Sequence, residues 1–254
     1  MLNKDDIRRY SRQLLLEEID EDGQQNLFNA HAVVIGLGGL GSLVARFLVG
    51  AGVGAGAGSL TLVDGDVVDI SNLHRQASFN ETYLGDLKTR ALHCELNKVN
   101  PAVNLAIKSQ FADETNLTDI VSAATCVIDC TDSISTRMEI NRACVKAQIP
   151  LFITAASGLS WQSVNLPCGN SETSCGCYHC LVSQIKVDES CSSHGILGPV
   201  VGMAACHQAT QALLFLAKRH LTKIQWGEYI VGNAINGTTN SFHLPPLPNC
   251  EVCQ

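Results

Sequence analysis

The chain has 254 residues, with 17 lysines and arginines against 24 aspartates and glutamates, which gives a formal net charge of −7. This acidic balance argues against a protein that binds nucleic acid through general positive charge. Only 16% of the residues are charged and 46% are hydrophobic, so a large core is available and disorder is not expected. The length suits one α/β domain or two small ones.

Twelve cysteines are compatible with disulfides, a metal site or thiol chemistry. The segment from Met1 to Asp6 has no apolar stretch typical of a secretory signal, so we expect a cytoplasmic protein with reduced thiols. The longest uncharged run, Phe47 to Val63, contains five glycines. A glycine-rich turn of an α/β fold explains this run better than a membrane span does.

The hydrophobic pattern predicts helices that alternate with strands. In chain order, the predicted elements are a helix at 3–17, a strand at 31–36, a helix at 40–49, a strand at 60–63, a helix at 86–100, strands at 103–107 and 126–129 around a polar helical stretch, a helix at 138–148 and a strand at 151–154. Such alternation indicates βαβ units and a largely parallel sheet, that is, a Rossmann-like doubly wound α/β fold.

The pattern changes after residue 157. A polar loop rich in cysteine and glycine is predicted at 167–198, followed by an apolar helix at 200–221 and short strands at 229–231 and 239–243. We therefore predict a single domain over residues 1–254, with a nucleotide-binding part at 1–157 and an appended antiparallel part at 158–254.

A glycine turn follows the first predicted strand, with the sequence Gly36-Leu-Gly38-Gly39-Leu-Gly41. Glycines between a strand and a helix let backbone N–H groups approach a phosphate at the helix N-terminus. Asp64 ends the next strand, where a carboxylate can accept hydrogen bonds from ribose hydroxyls. The turn alone fits NAD and ATP equally, and a tight turn without ligand is the alternative.

Polar and charged residues beyond Asp64 favour ATP. They are Asn72, Arg75, Lys88, Asp129, Asp132 and Arg137. Taken singly, these residues would be ordinary surface groups. A hydride-transferring NAD enzyme needs no such set, whereas a nucleotidyltransferase needs cations that offset phosphate charge and a carboxylate that holds Mg²⁺.

Two C-x-x-C pairs, Cys177/Cys180 and Cys250/Cys253, predict a closed tetrahedral zinc site. Such a site is structural, and it would attach the irregular C-terminal tail to the loop after the sheet. Cys175 and His179 are close enough in sequence to be alternative ligands. A redox dithiol is the competing interpretation, but it explains only one of the two pairs.

The motifs together resemble those of the ThiF/MoeB/HesA family, the ubiquitin-activating-enzyme-like adenylyltransferases of sulfur carrier proteins. The motifs that carry this resemblance are Arg9-Tyr-Ser-Arg-Gln13, Gly36-Leu-Gly-Gly-Leu-Gly41, Gly52-Val-Gly54, Ser71-Asn-Leu-His-Arg-Gln76, Cys130-Thr-Asp132 and Gly198-Pro-Val-Val-Gly202. They span the chain from about Arg9 to Cys253. Ser133 departs from the family, which commonly has Asn there.

The resemblance implies a role for individual residues. Gly38 and Gly41 would lie against the phosphates of ATP, Asp64 would bind the ribose, Asn72, Arg75 and Lys88 would bind phosphates, and Asp132 would hold Mg²⁺. Arg12 would reach the nucleotide site of the partner subunit in a homodimer. Zinc is implied at the four paired cysteines as well. Cys191 would lie on the loop that crosses the active site, where some members form a sulfur linkage to the carrier. The role of His194 is a separate hypothesis that rests on spacing alone: it follows Cys191 by three residues and would lower the pKa of that thiol.

The implied reaction is the ATP-dependent adenylation of the C-terminal Gly-Gly carboxylate of a ubiquitin-like sulfur carrier of the ThiS or MoaD type, with release of pyrophosphate. It would serve thiamine or molybdopterin biosynthesis, with sulfur from a separate cysteine desulfurase or rhodanese. The alternatives are an NAD-dependent oxidoreductase and a non-catalytic, zinc-stabilised protein that docks the carrier. A relative that adenylates tRNA is disfavoured by the negative charge.

Overall fold

A computed structural model describes residues 2–169, 175–185, 195–217 and 224–254. Its helices are α1 (Lys4–Tyr10), α2 (Asp20–Asn29), α3 (Gly39–Ala51), α4 (Lys88–Val99), α5 (Leu117–Val121), α6 (Ile134–Ala147), α7 (Tyr178–Gln184) and α8 (Gly198–Ala217). Its strands are β1 (His31–Ile35), β2 (Ser59–Val63), β3 (Leu105–Lys108), β4 (Cys126–Asp129), β5 (Leu151–Ser157), β6 (Ser160–Leu166), β7 (Glu228–Asn233) and β8 (Thr238–His243).

The strands form one sheet in the order β3-β2-β1-β4-β5-β6-β7-β8. The pairings among β1 to β5 are parallel, and β6, β7 and β8 continue the sheet in antiparallel pairings. The predicted α/β fold with an antiparallel C-terminal portion is confirmed. The strand order reverses between β1 and β4, and ligands of such sheets bind at the carboxyl ends of the strands beside this reversal.

Helices cover both faces of the sheet. Residues of α3, α4 and α8 share one apolar cluster with Ala32 and Val34 of β1, whereas residues of α6 and α7 share the other cluster with Val33 and Ile35. Strand β1 is apolar throughout because successive side chains point to opposite faces and both faces are buried. The sheet is therefore doubly wound, as predicted.

Helix α8 is long and apolar enough to cross a membrane by length and composition alone. Half of its most apolar window is nevertheless buried inside the protein, against α3, β5 and α2. Gln208 in this helix is 1% exposed and donates hydrogen bonds to the carbonyl oxygens of Asp129 (3.0 Å) and Phe152 (3.1 Å). The helix therefore has a core role in this fold, and it holds the ends of β4 and β5 from one side.

The structure shortens one predicted helix, moves the start of another and contains three further elements. The helix predicted at 3–17 ends at Tyr10, because Gln13 turns inward and its side-chain amide donates to Ala51 O at 3.0 Å. Helix α2, strand β6 and helix α7 were not predicted. Helix α8 begins at Gly198 and is described up to Ala217, so the remainder of the helix predicted at 200–221 lies outside the described residues.

Candidate active site and cysteine cluster

The glycine turn joins β1 to α3 in a conformation that requires glycine. Gly36 has φ +85°, in the left-handed region. A Cβ on Gly41 would lie 1.8 Å from the carbonyl oxygen of Gly36, so a side chain there is incompatible with the turn. Gly38 caps α3 without a side-chain hydrogen bond. The first N–H groups of this helix of 13 residues are thus available to a phosphate, and the helix dipole favours negative charge there.

Asp64 ties the glycine turn to the end of β2. Its Oδ2 accepts a hydrogen bond from Leu37 N–H at 2.7 Å, and its Oδ1 accepts one from Asp66 N–H at 2.8 Å. Each carboxylate oxygen has a second lone pair, so each has the capacity to accept a further hydrogen bond, as the predicted ribose contact requires. The predicted ribose ligand is therefore fixed in place by backbone contacts on both sides.

Lys88 is the first residue of α4, and its ammonium forms an ion pair with Asp66. Nζ lies 2.5 Å from Asp66 Oδ2, and the lysine side chain is only 7% exposed. Partial burial opposes ionisation of Asp66, but hydrogen bonds from Lys88 and from Val67 N–H outweigh it, so the pKa of Asp66 is lowered. The sequence predicts no role for Asp66, although its place just after β2 is a usable signal.

Arg75 lies beside the glycine turn. Its Nη2 donates to Asn72 Oδ1 at 2.7 Å, and its Nη1 donates to Ser71 O at 3.2 Å and lies 3.0 Å from His74 Nε2. The backbone of Arg75 also lies close to the glycine turn, because a Cβ on Gly39 would lie 2.9 Å from Arg75 O. The predicted pair Asn72 and Arg75 is thus preassembled next to the N-terminus of α3.

Asp132 lies just after the end of β4. Asp132 is exposed, whereas Asp129 and Arg137 beneath it are buried, at 0% and 7% exposure. Burial raises the pKa of Asp129, against the opposing effects of the Arg137 charge and of hydrogen bonds from Thr131. A carboxylate exposed at the cleft is chemically suited to Mg²⁺, which prefers oxygen ligands and keeps several waters.

One cleft of about 1150 Å³ brings most of these residues together. Its lining includes Gly38, Asp64, Asn72, Arg75, Lys88 and Asp132, all of them predicted site residues. Gly41 is buried behind this wall, where it lets the turn close. Arg12 is exposed on the segment after α1 and is not among the lining residues.

The other end of the cleft is formed by β6, β7 and α7. Tyr229 donates its hydroxyl hydrogen to Gln162 Oε1 there. Tyr178, Leu181, Val182 and Ile185 add an apolar wall. The cleft thus has a charged end beside the glycine turn and a largely apolar end beside α7, which suits a nucleotide joined to a second, less charged substrate.

The four paired cysteines converge although they lie at distant points of the chain. Their sulfur atoms all lie within 4.8 Å of one another, with Cys177 and Cys250 3.8 Å apart and Cys180 and Cys253 3.7 Å apart. Zn–S bonds of about 2.3 Å in a tetrahedron place sulfur atoms roughly 3.8 Å apart, so the group fits zinc.

The surroundings of the cysteine cluster also fit a metal site. Leu247 N–H donates to Cys180 Sγ at 3.4 Å, an outer contact of the kind that orients metal ligands. His179 Nδ1 lies 3.4 Å from Cys250 Sγ, so this histidine borders the four thiols. The four converging thiols are those of the predicted C-x-x-C pairs; Cys175 is not among them.

A family model for the ThiF family matches residues 10–252 of the chain. The chain belongs to the ThiF family. Its named relatives are adenylyltransferases, so this ThiF-family protein is an enzyme with nucleotidyltransferase activity. The resemblance inferred from the sequence motifs is therefore confirmed.

Two curated relatives match the ThiF-family protein along its full length. The sulfur carrier protein ThiS adenylyltransferase of Escherichia coli strain K12 is 37% identical, over 99% of this chain and 97% of the relative. The molybdopterin-synthase adenylyltransferase of Salmonella typhimurium strain LT2 is 32% identical, over 99% and 98%. Among solved structures, E. coli MccB with MccA-N7isoASN superposes with a TM-score of 0.83 at 23% identity, over 97% of this chain and 75% of that chain, which shows a shared fold.

Two predicted residues of this ThiF-family protein, Cys191 and His194, lie outside the described residues. The role of Arg12 also stays a prediction, because it concerns a partner subunit. The alternative of an NAD-dependent oxidoreductase disagrees with the family assignment.

Proposed function

We propose that this enzyme adenylates the C-terminal glycine carboxylate of a ubiquitin-like sulfur carrier of the ThiS or MoaD type, with ATP as the second substrate and pyrophosphate as a product. The observation that carries the proposal is the single cleft in which the glycine turn, Asp64, Arg75, Lys88 and Asp132 meet. The relatives named for ThiS and for molybdopterin synthase support the substrate class.

The reaction proposed for the charged end of the cleft is nucleotidyl transfer, which activates the carrier carboxylate as an acyl-adenylate. A carboxylate oxygen of the carrier attacks the α-phosphorus of ATP, and the bond from that phosphorus to the bridging oxygen of pyrophosphate breaks. Lys88 and Arg75 offset the charge that develops on the phosphates, and the amides of the glycine turn bind them. Asp64 orients the ribose, and Asp132 would hold Mg²⁺, which supplies further charge neutralisation when bound.

The cysteine cluster is proposed to hold structural zinc. Cys250 and Cys253 belong to the C-terminal tail, whereas Cys177 and Cys180 belong to the start of α7, so a shared ion would attach the tail to the wall of the cleft. In this proposal residues 1–157 supply the nucleotide contacts, and residues 158–254 supply the zinc ligands and the carrier contacts. The apolar end of the cleft is the proposed path of the carrier tail.

ATP–pyrophosphate exchange tests the proposed reaction. Exchange is expected only when a carrier ending in Gly-Gly is present, and it is expected to vanish when the terminal glycine is removed. A ThiS-type and a MoaD-type carrier tested side by side distinguish thiamine from molybdopterin biosynthesis. Carrier binding without exchange would favour the non-catalytic docking protein, and exchange independent of any carrier would contradict the proposed substrate.

The homodimer is proposed from the position of Arg12, which is exposed and lies outside the lining of its own cleft. Mixed subunits test it. Arg12→Ala and Lys88→Met are expected to be inactive separately. If Arg12 serves the partner's site, one site per hybrid dimer regains both residues, and random mixing restores activity toward about one quarter of the wild-type level. No recovery would show that Arg12 does not act across a subunit boundary.

The remaining proposals concern the location of the enzyme, its sulfur donor and the role of Cys191. We place the enzyme in the cytoplasm, with sulfur delivered by a separate cysteine desulfurase or rhodanese. Cys191 is proposed as the thiol that forms a sulfur linkage to the carrier: its thiolate attacks the carbonyl carbon of the carrier acyl-adenylate, and AMP leaves as the bond from that carbon to the AMP oxygen breaks. Iodoacetamide labelling of Cys191 that is unchanged in His194→Ala would remove His194 from this scheme.

A further inference from the structure

The turn that carries Asp132 is held by two neighbours. Asp129 Oδ1 accepts two hydrogen bonds from Thr131, one from its backbone N–H at 2.9 Å and one from its hydroxyl at 2.7 Å. On the other side of the same residue, Arg137 Nη2 donates to Thr131 O. The residue directly before Asp132 is thus held from both ends.

Both anchors are buried, which gives the turn little freedom. Asp129 and Arg137 are 0% and 7% exposed, and Gln208 Nε2 donates a hydrogen bond to the backbone carbonyl oxygen of Asp129 at 3.0 Å. Asp132, in contrast, is exposed at the cleft, and among the described residues no side-chain hydrogen bond orients its carboxylate. The held backbone therefore fixes the position and direction of the Cα–Cβ bond from which this carboxylate extends into the cleft.

A second turn in the same chain forms the same two hydrogen bonds between an aspartate and a threonine without burying the aspartate. Asp113 Oδ1 accepts from Thr115 N–H at 2.9 Å and from its hydroxyl at 2.6 Å, in the same Asp-x-Thr spacing. That turn is exposed. Burying a carboxylate and a guanidinium is costly, so a buried version of a turn that folds equally well at the surface points to a need for fixed geometry rather than for stability.

We propose that Thr131, together with Asp129 and Arg137, is a positioning residue that aims Asp132 at the metal ion of Mg·ATP. This inference rests on the proposed function, because it takes Asp132 as the ligand of that ion. The hydroxyl of Thr131 is the part of the arrangement that is removable with least change in shape, since valine replaces it with a methyl group of similar size.

The test compares Thr131→Val with Thr131→Ser and measures how the binding of a fluorescent ATP analogue depends on Mg²⁺ concentration, without carrier. Thr131→Val is expected to raise the half-saturating Mg²⁺ concentration about tenfold, and Thr131→Ser is expected to stay within about threefold of wild type. Thr115→Val is the matched control, because it removes the same hydrogen bond from the exposed turn.

Equal Mg²⁺ dependence in Thr131→Val and wild type would overturn the proposal, as would an equal change in Thr131→Ser and Thr131→Val. Thermal unfolding of each variant identifies any loss of fold, and Asp129→Asn, which keeps an oxygen acceptor for Thr131, gives a second route to the same measurement. Nucleotide binding is measured without carrier. A failure of carrier-dependent ATP–pyrophosphate exchange would therefore count against the proposed function, while the Mg²⁺ dependence of nucleotide binding would still decide the role of Thr131.

Discussion

Lys88 and Asp66 form an ion pair in which Nζ lies 2.5 Å from Oδ2, with the lysine 7% exposed and the aspartate 49% exposed. The pair orients a buried cation at the wall of the cleft. Lys88→Met is therefore expected to lower kcat for ATP–pyrophosphate exchange by about 10²–10³-fold, a loss typical of removing one stabilising group from a transition state. Asp66→Asn is expected to cause a smaller loss, because the charge on Lys88 remains.

Lys98→Met is the matched control for this pair. Lys98 lies near the other end of the same helix, is 67% exposed and pairs with Glu95 at the surface. Exchange in this variant is expected to match wild type. An effect in Lys98→Met as large as that in Lys88→Met would show that helix α4, rather than the ion pair, is being perturbed.

Two glycines of α3 are expected to respond oppositely to alanine. A Cβ on Gly41 would lie 1.8 Å from Gly36 O, so Gly41→Ala is expected to distort the turn and abolish nucleotide binding. Gly50 has open space around its Cα and is exposed, so Gly50→Ala is expected to raise stability by about 0.5–1 kcal/mol. Titration with an ATP analogue measures the effect of Gly41→Ala, and chemical denaturation measures that of Gly50→Ala. Wild-type nucleotide affinity in Gly41→Ala would contradict the close contact between Gly41 and Gly36 O.

The cysteine cluster predicts a metal content. Wild-type protein is expected to contain one zinc ion per chain by elemental analysis, and Cys253→Ser is expected to lose it. The loss of a structural ion that joins the tail to α7 should lower the free energy of unfolding by about 3 kcal/mol or more. Cys94→Ser, at an exposed cysteine of α4, should retain both zinc and stability. Full zinc content in Cys253→Ser would exclude the four-thiol site.

Tyr10 anchors the segment that carries Arg12. Its buried hydroxyl accepts a hydrogen bond from Asn100 Nδ2 at 2.7 Å. Tyr10→Phe is expected to cost about 0.5–1.5 kcal/mol in denaturant unfolding, the usual net value of one hydrogen bond. Tyr83→Phe, which removes a hydroxyl bonded to the partly exposed Glu95, should cost less. Equal stability of Tyr10→Phe and wild type would show that the buried hydroxyl contributes no net anchoring.

The parts of the fold that the sequence predicts well are those encoded by local pattern. The glycine turn and the C-x-x-C pairs were found because their spacing carries the chemistry. Strand β6 was missed because it reads as polar: Ser163 and Asn165 are buried in it but bonded to Thr154 and Gln211, each at 3.0 Å. Helix α2 was missed for a similar reason, since its buried Gln24 donates to Ala51 O at 2.9 Å.

Long-range pairs were also beyond the sequence. Nothing local relates Asp66 to Lys88, which are 22 positions apart. The antiparallel bridge between Val67 and Leu87 and the hydrogen bond from Lys88 N–H to Asp66 O at 3.0 Å bring them together. In the same way, Gln208 reaches the end of β4 from a helix 79 positions away. Such contacts follow from the packing of whole elements, which hydrophobic period and spacing do not specify.

Intact-mass spectrometry of the carrier tests the central claim most directly. A carrier ending in Gly-Gly is incubated with the enzyme, ATP and Mg²⁺, with pyrophosphatase added to remove the second product. With the wild-type enzyme the carrier is expected to gain the mass of one adenylyl group, and Lys88→Met is expected to form this adduct at least about 10²-fold more slowly. A carrier that binds the enzyme but stays unmodified, while ATP is bound in the cleft, would contradict the account.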